Sequence, residues 1–293
     1  MTDADAKEVR TPKLPVWRIV WDSYRILFGN FGTYVRLSWF PFLVLVANTT
    51  AMEFYYRASD NVSDDQPIAG TFFYPAIPIA SIALWLVTIP IATAWTRLVF
   101  FGQDAKRARI SYVLGKRELV YSWRYVSVAF MALAVPCILF GTIVVGAWLG
   151  AVDTAFDFPE EPSTPTILAV LLLVWMLGLF SVCRLLIALP GAAVGYPSRF
   201  RDSWRLTRGH GLRIFFVLFV AFVPENLGLT AIVLLAPSYE FSAGDGIAKA
   251  LLIGIGENSF VWIFYTLSIT SLALIYKQLV GPSHPEPNST PAP

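Results

Sequence analysis

Hydrophobic positions in this chain gather into six long stretches, and the polar positions between them alternate in sign. Uncharged runs cover residues 66–96, 125–152, 163–183 and 258–276, each close to or above the ~20 residues a helix needs to cross a hydrocarbon core. Together with two less pure runs they predict spans at 34–54, 75–98, 125–150, 166–189, 212–236 and 257–280. The runs are apolar on every face and too long for the ~10-residue alternation of a membrane β-barrel strand. Helices are therefore expected: an all-α polytopic membrane protein with six transmembrane helices in a single domain, 17–281. A polar tail, 1–16, precedes it, and a Pro-, Ser- and Thr-rich tail, 282–293, should be disordered.

Charge then orients the spans. Lys7, Arg10, Lys13, Arg18, Arg25 and Arg36 precede or open the first span. Lys106, Arg107, Arg109, Lys116, Arg117 and Arg124 lie between the second and third, and Arg199, Arg201, Arg205, Arg208 and Arg213 between the fourth and fifth. The other loops carry Asp60, Asp64, Asp65, Asp153, Asp157, Glu160, Glu161, Glu240 and Asp245. Because Lys and Arg are retained on the cytoplasmic side during insertion, both termini are expected there. The first sixteen residues lack an apolar core followed by a small-residue cleavage site, so the first span is expected to act as the insertion signal.

A repeat refines this layout. Asp22-Ser23-Tyr24-Arg25-Ile26-Leu27-Phe28-Gly29-Asn30 returns as Asp202-Ser203-Trp204-Arg205-Leu206-Thr207-Arg208-Gly209-His210, with a looser copy ending at Gly115-Lys116. Even-numbered spans end alike, on Arg97 before Gly102, Arg184 before Gly191 and Lys277 before Gly281. Three parallel pseudo-repeats are expected, near 17–102, 103–197 and 198–281, each a cytoplasmic interfacial amphipathic helix followed by two spans. In the first, Trp17, Val20, Trp21, Tyr24, Leu27 and Phe28 share one face while Arg18, Asp22 and Arg25 take the other. Gly29-Asn30 and Gly209-His210-Gly211 are expected to supply the positive φ that turns each surface helix into its span.

The composition agrees with a membrane setting: 56% of the 293 residues are hydrophobic and 14% charged. Cys137 and Cys183 sit inside different spans, so packing is expected rather than a disulfide, and Asn61-Val62-Ser63 is a weak glycosylation match. The two histidines, His210 and His284, have no partners at metal-ligand spacing, and no hydrolase, zincin or nucleotide-binding pattern occurs. The reading is of a non-enzymatic chain with no catalytic, metal or cofactor residues and no cofactor. His210 is expected at a helix boundary, contacting backbone or phosphate groups.

Polar residues inside the spans are the remaining candidates, because a charge in hydrocarbon costs a few kcal/mol on the lenient insertion scales. Glu225 and Asn226 follow Pro224 near the middle of the fifth span. Arg184 is the cation proposed to pair with Glu225, and Asn48 or Thr49 the alternative partners. Glu257-Asn258, after Gly254 and Gly256, reads either as a broken helix at a vestibule or as an interface pair snorkelling to outer water. Gly146–Gly150 is a close-contact glycine pattern. The cations Arg18, Arg25, Arg201, Arg205 and Arg208, interleaved with Trp17, Trp21 and Trp204, are candidate contacts for anionic head groups at about 1 kcal/mol per nearby cation. Lipid, not nucleic acid, is the expected partner, with room for a membrane-protein partner or a homo-oligomer.

The segment Asp202–His210, continued by Leu212-Arg213-Ile214-Phe215-Phe216, resembles the S-W-x-L-T-x-G elbow of the YciC-like bacterial inner-membrane proteins. It is similar also to the membrane domain attached to some glycerophosphodiester phosphodiesterases, as is the Tyr276-Lys277-Gln278-Leu279 ending. That resemblance implies a multi-pass protein of the bacterial cytoplasmic membrane tied to envelope or lipid maintenance, and it carries over no catalysis. The leading expectation is a scaffold or lipid-associated protein. The rival is a secondary transporter or channel using Glu225 and Asn226, which requires a polar cavity reaching Glu225.

Overall fold

The computed structural model describes residues 14–60, 76–102, 115–148, 164–196, 200–235 and 247–281. The third elbow copy before Gly115, the Asn61 sequon, most of the acidic loops and both tails lie outside them. The described residues form helices: α1 (Val16–Gly29), α2 (Phe31–Asp60), α3 (Ala76–Phe101), α4 (Lys116–Trp148), α5 (Thr164–Leu186), α6 (Ala188–Ala193), α7 (Phe200–Leu206), α8 (Gly211–Leu235) and α9 (Ile247–Val280). The predicted spans fall on helical residues, five of them each along a single helix and 166–189 running from α5 into α6. Among the described residues, Met176–Ala193, Gly211–Gly228 and Gly254–Val280 are long and apolar enough to cross a membrane, and Thr88–Phe101 is a shorter apolar stretch.

Helix α9 is the centre of the assembly, touching α1, α2, α3, α6 and α8. Its buried face carries hydroxyls as well as aliphatics. Thr266, Ser268 and Thr270 donate to the carbonyls of Trp262, Phe264 and Thr266 at 3.0, 3.0 and 2.7 Å, so each group is satisfied within its own helix. Thr270 and the adjacent Ser271 then tie in neighbours. The buried Trp95 indole of α3 donates to Thr270 Oγ1 at 2.8 Å, and Ser23 of α1 shares a 2.9 Å hydroxyl contact with Ser271.

Three expectations are corrected here. The Gly254/Gly256 pair does not break α9, which starts ten residues before the predicted 257 and runs through both. Gly254 instead lets α2 approach: an added Cβ would lie 3.3 Å from Thr50 Oγ1 and 3.9 Å from the Val46 carbonyl oxygen. Asn258 is buried in that contact rather than snorkelling outward. Its amide donates to the Gly254 carbonyl at 2.6 Å and to Thr49 Oγ1 at 3.1 Å.

The second concerns α1. Trp17 and Trp21 are 75% and 72% exposed, but Val20 and Leu27, placed on that same face by spacing, are buried with Ile19 and Ser23. The helix has two apolar faces, one outward and one packed on α8 and α9. Arg18 and Asp22 pair along the remaining face at 3.7 Å.

The third concerns the glycines. Gly209 has φ +81°, as expected, whereas Gly29 closes α1 without a positive φ. The chain passes into α2 through Asn30 alone, at φ −119°, whose side-chain amide donates to the Ile26 carbonyl at 2.9 Å. Gly102 and Gly281 do adopt positive φ (70° and 78°) at the ends of α3 and α9. The counterpart Gly191 does not, being buried within α6. Pro190 cannot donate to the Leu186 carbonyl, so α5 ends there and a short helix follows. That helix terminates at Gly195, φ +88°, with Gly195 N–H donating to Ala192 and Tyr196 N–H to Gly191, a Schellman closure.

Because Gly254 meets α2 while Gly256 has nothing within 4 Å, the two should respond oppositely. Gly254→Leu should destabilise the detergent-solubilised protein by roughly 1–3 kcal/mol through overpacking. Gly256→Ala should be neutral or gain up to ~1 kcal/mol from helix propensity. Thermal unfolding midpoints that moved together would refute the assigned contact.

Candidate functional site

The second elbow copy builds a locked corner between α5 and α8. Helix α7 is only seven residues long, and its stability comes from what it is bonded to. Ser203, the buried serine of the repeat, donates to the Arg184 carbonyl at 3.0 Å, reaching the last turn of α5. Thr207, four residues on, donates to the Ser203 carbonyl at 2.9 Å. Arg184 returns the connection. Its Nε donates to Thr207 Oγ1 at 3.1 Å, its Nη2 to the Trp204 carbonyl at 2.9 Å, and its guanidinium carbon lies 3.7 Å from the Trp204 ring centre. A planar fork that bonds and stacks at once is a role for Arg that Lys cannot reproduce.

Gly209, at positive φ, then turns the chain, and His210 opens α8 by accepting the Ile214 N–H at 3.0 Å. Gly211 makes the turn tight: an added Cβ would lie 2.7 Å from Phe180 and 3.3 Å from Cδ of Arg184. At its other end α8 is pinned to a different neighbour. A Cβ at Gly228 would lie 2.8 Å from the Phe260 ring of α9. These close approaches are seventeen residues apart, about 25 Å along the helix, so α8 leaves α5 and leans on α9.

The space opened on the α5 side is a groove of about 580 Å³. Met176, Leu179, Val182, Cys183 and Leu186 of α5 form one wall, and Phe215, Leu218, Phe219, Phe222, Val223, Asn226 and Leu227 of α8 the other. Phe215 and Phe219 stack at 5.9 Å. Phe219, Phe222 and Leu227 are exposed, so the groove is open to the outside of the bundle. Cys183 is unbridged. A smaller cleft of about 310 Å³, walled by aromatics including Phe31, Trp39 and Trp262, lies between α2 and α9.

The intramembrane candidates are dispersed rather than gathered. Asn226 lines the groove, and its amide donates to the Phe222 carbonyl of its own helix at 2.9 Å. Glu225 is in α8 directly after Pro224, and its side chain lies outside the described structure. The Glu225–Arg184 pair is corrected: Arg184 sits beside Gly211, fourteen residues and about 21 Å along the helix from Glu225. Glu257 is half-buried beside Asn258, one long helix away. Arg25, Arg201, Arg205 and Arg208 are exposed, and Arg18 is paired with Asp22. Among the described residues no group of three His, Cys, Asp or Glu side chains is placed to hold a metal.

No family model, curated protein or solved structure matches this chain. The functional reading therefore rests on the site's own residues. Those that spacing did not single out are Ser203 and Thr207, whose i, i+4 relation is legible, and the groove phenylalanines, which read only as span.

His210 is 5% exposed, and neither ring nitrogen has a hydrogen-bond partner among the described residues. Burial first, and then the positive charge of Arg213, pushes its pKa below the usual 6.5. The folded state therefore holds the neutral ring, and the unfolded chain takes up the proton first as pH falls. Stability is present above the usual value and lost as pH drops through it toward the depressed one. The thermal midpoint should fall between pH 7 and 5 in the native protein and fall less in His210→Gln; an unchanged profile would exclude His210 as the titrating group. Separately, Arg184→Lys should cost about 1–2 kcal/mol by losing the Thr207 bond and the Trp204 stack. A midpoint equal to that of the native protein would refute the locked corner.

Proposed function

We propose that the chain is a non-enzymatic integral membrane protein, a scaffold or lipid-associated protein in envelope maintenance. In this reading it resides in the bacterial cytoplasmic membrane with both termini inside. Its six spans form three parallel pseudo-repeats, and the elbows face the inner leaflet. The observation that carries the functional part is the groove between α5 and α8, walled by apolar side chains, open outward, and adjoining a basic corner.

Support for the repeat comes from the elbows. Ser23 and Ser203 are both buried while Arg25 and Arg205 are both exposed. Helix α7 packs on α5, the end of the preceding unit, and α1 packs on α9, the end of the last, as a closed ring of three would require. The positive-φ glycines after α3 and α9 recur at matching places. The YciC-like resemblance points to the same membrane and to the same absence of a catalytic domain.

The transporter reading has weaker footing. A hydrophilic path needs side chains that can replace a hydration shell. The groove wall supplies one amide, Asn226, already bonded to its own helix. Asn258, the other candidate amide, is spent on packing.

Gentle purification followed by lipid mass spectrometry tests the proposal. Anionic phospholipid should be retained in excess over its share of the host membrane, and high salt should reduce that excess. Retained lipid of bulk composition, insensitive to salt, would overturn the lipid-associated reading.

A further inference from the structure

We infer that the α5/α8 groove and the basic corner at its near end form one binding site for an anionic phospholipid, with one acyl chain in the groove and the phosphate among the corner's cations. This rests on the membrane reading above and adds a location, a ligand class and a stoichiometry of one chain per groove.

The dimensions fit a single leaflet. From Phe215 to Leu227 the α8 wall runs about 18 Å, and from Met176 to Leu186 the α5 wall runs about 15 Å. Half of a ~30 Å hydrocarbon core is about 15 Å. The groove therefore begins one turn beyond Gly211, and its walls have about the length of one leaflet's hydrocarbon, the length an acyl chain covers.

Charge selects the head group. Arg205 and Arg208 are exposed, Arg213 is half-buried, and none of the three side chains has an ion-pair or hydrogen-bond partner among the described residues. Arg184 uses Nε and Nη2 on the elbow, and its Nη1 has no hydrogen-bond partner among the described residues. Several cations carried by one short corner suit a phosphate, whose oxygens can meet more than one donor, better than a lone carboxylate, and they repel a choline cation. The second acyl chain would lie along the exposed Leu212 and Phe216.

The test uses the intact chain in phosphatidylcholine nanodiscs with a trace of phosphatidylglycerol carrying a mid-chain diazirine. After irradiation, adducts should concentrate on peptides 176–186 and 215–227, and an equally labelled phosphatidylcholine should give far fewer. Arg205→Ala/Arg208→Ala should lower phosphatidylglycerol labelling by about fivefold per cation removed and leave phosphatidylcholine labelling unchanged. Adducts spread over the whole surface, or gathered at the α2/α9 cleft, would overturn the site. Equal labelling by phosphatidylcholine or by a diazirine fatty acid would overturn the ligand class. If anionic lipid still co-purifies in excess while the adducts lie elsewhere, the lipid-associated reading survives and this location alone fails.

Discussion

The structure depends on one constraint: a polar group among apolar helices must find its partner inside the protein. Helix α9 meets it at the centre of the bundle. A string of hydroxyls on a fully buried face would be costly if any were left bare, but each donates back one turn along its own helix. Self-satisfaction frees the hydroxyl oxygens to accept, and the Trp95 indole takes up that offer at Thr270. The same economy recurs at α2, where Ser38 donates to the Tyr34 carbonyl at 2.8 Å, and at the helix crossing held by Thr49 and Asn258.

Cations obey the rule at the helix ends. Lys277 donates to the Phe100 carbonyl at 3.0 Å, Arg124 to the Ala188 carbonyl at 3.0 Å, and Arg184 to that of Trp204. Each joins one element to another by meeting a carbonyl. A positive side chain near the ends of the apolar segments thus serves twice, as a contribution to the charge pattern that sets orientation and as a bond between elements. Mutation of such a residue would move topology and stability together, so separating the two needs the charge-conserving change.

How much of this was legible in the sequence follows from what periodicity encodes. Uncharged length located the helices, because length against hydrocarbon thickness needs no knowledge of neighbours. The sidedness of α1 was half legible: spacing groups Val20 with Trp21, yet only the arrival of α8 and α9 decides which apolar side chains are covered. Arg184 and Glu225 looked like partners because span boundaries were uncertain by several residues, and a turn or two of error along a helix moves a side chain many ångströms. Gly254 and Gly256 are identical letters two apart, and only α2 distinguishes them. The groove was not legible at all, since it is a space between helices rather than a property of either one.

That space nevertheless has a cause in residue size. Along α8 the order is Gly211, then Phe215, Phe219 and Phe222, then Gly228. Glycine at the near end brings the helix against Phe180 and Arg184, and glycine at the far end brings it against Phe260. Between them the large rings hold α5 off, so the helix is fixed at two points on two different neighbours and must lean. Closing the groove would require the phenylalanine rings to find room in a wall already filled by Leu179, Val182 and Cys183, and close-packed helices resist that. An opening with built-in edges at both ends is a persistent feature of the fold, and that persistence is what the proposed acyl-chain site requires.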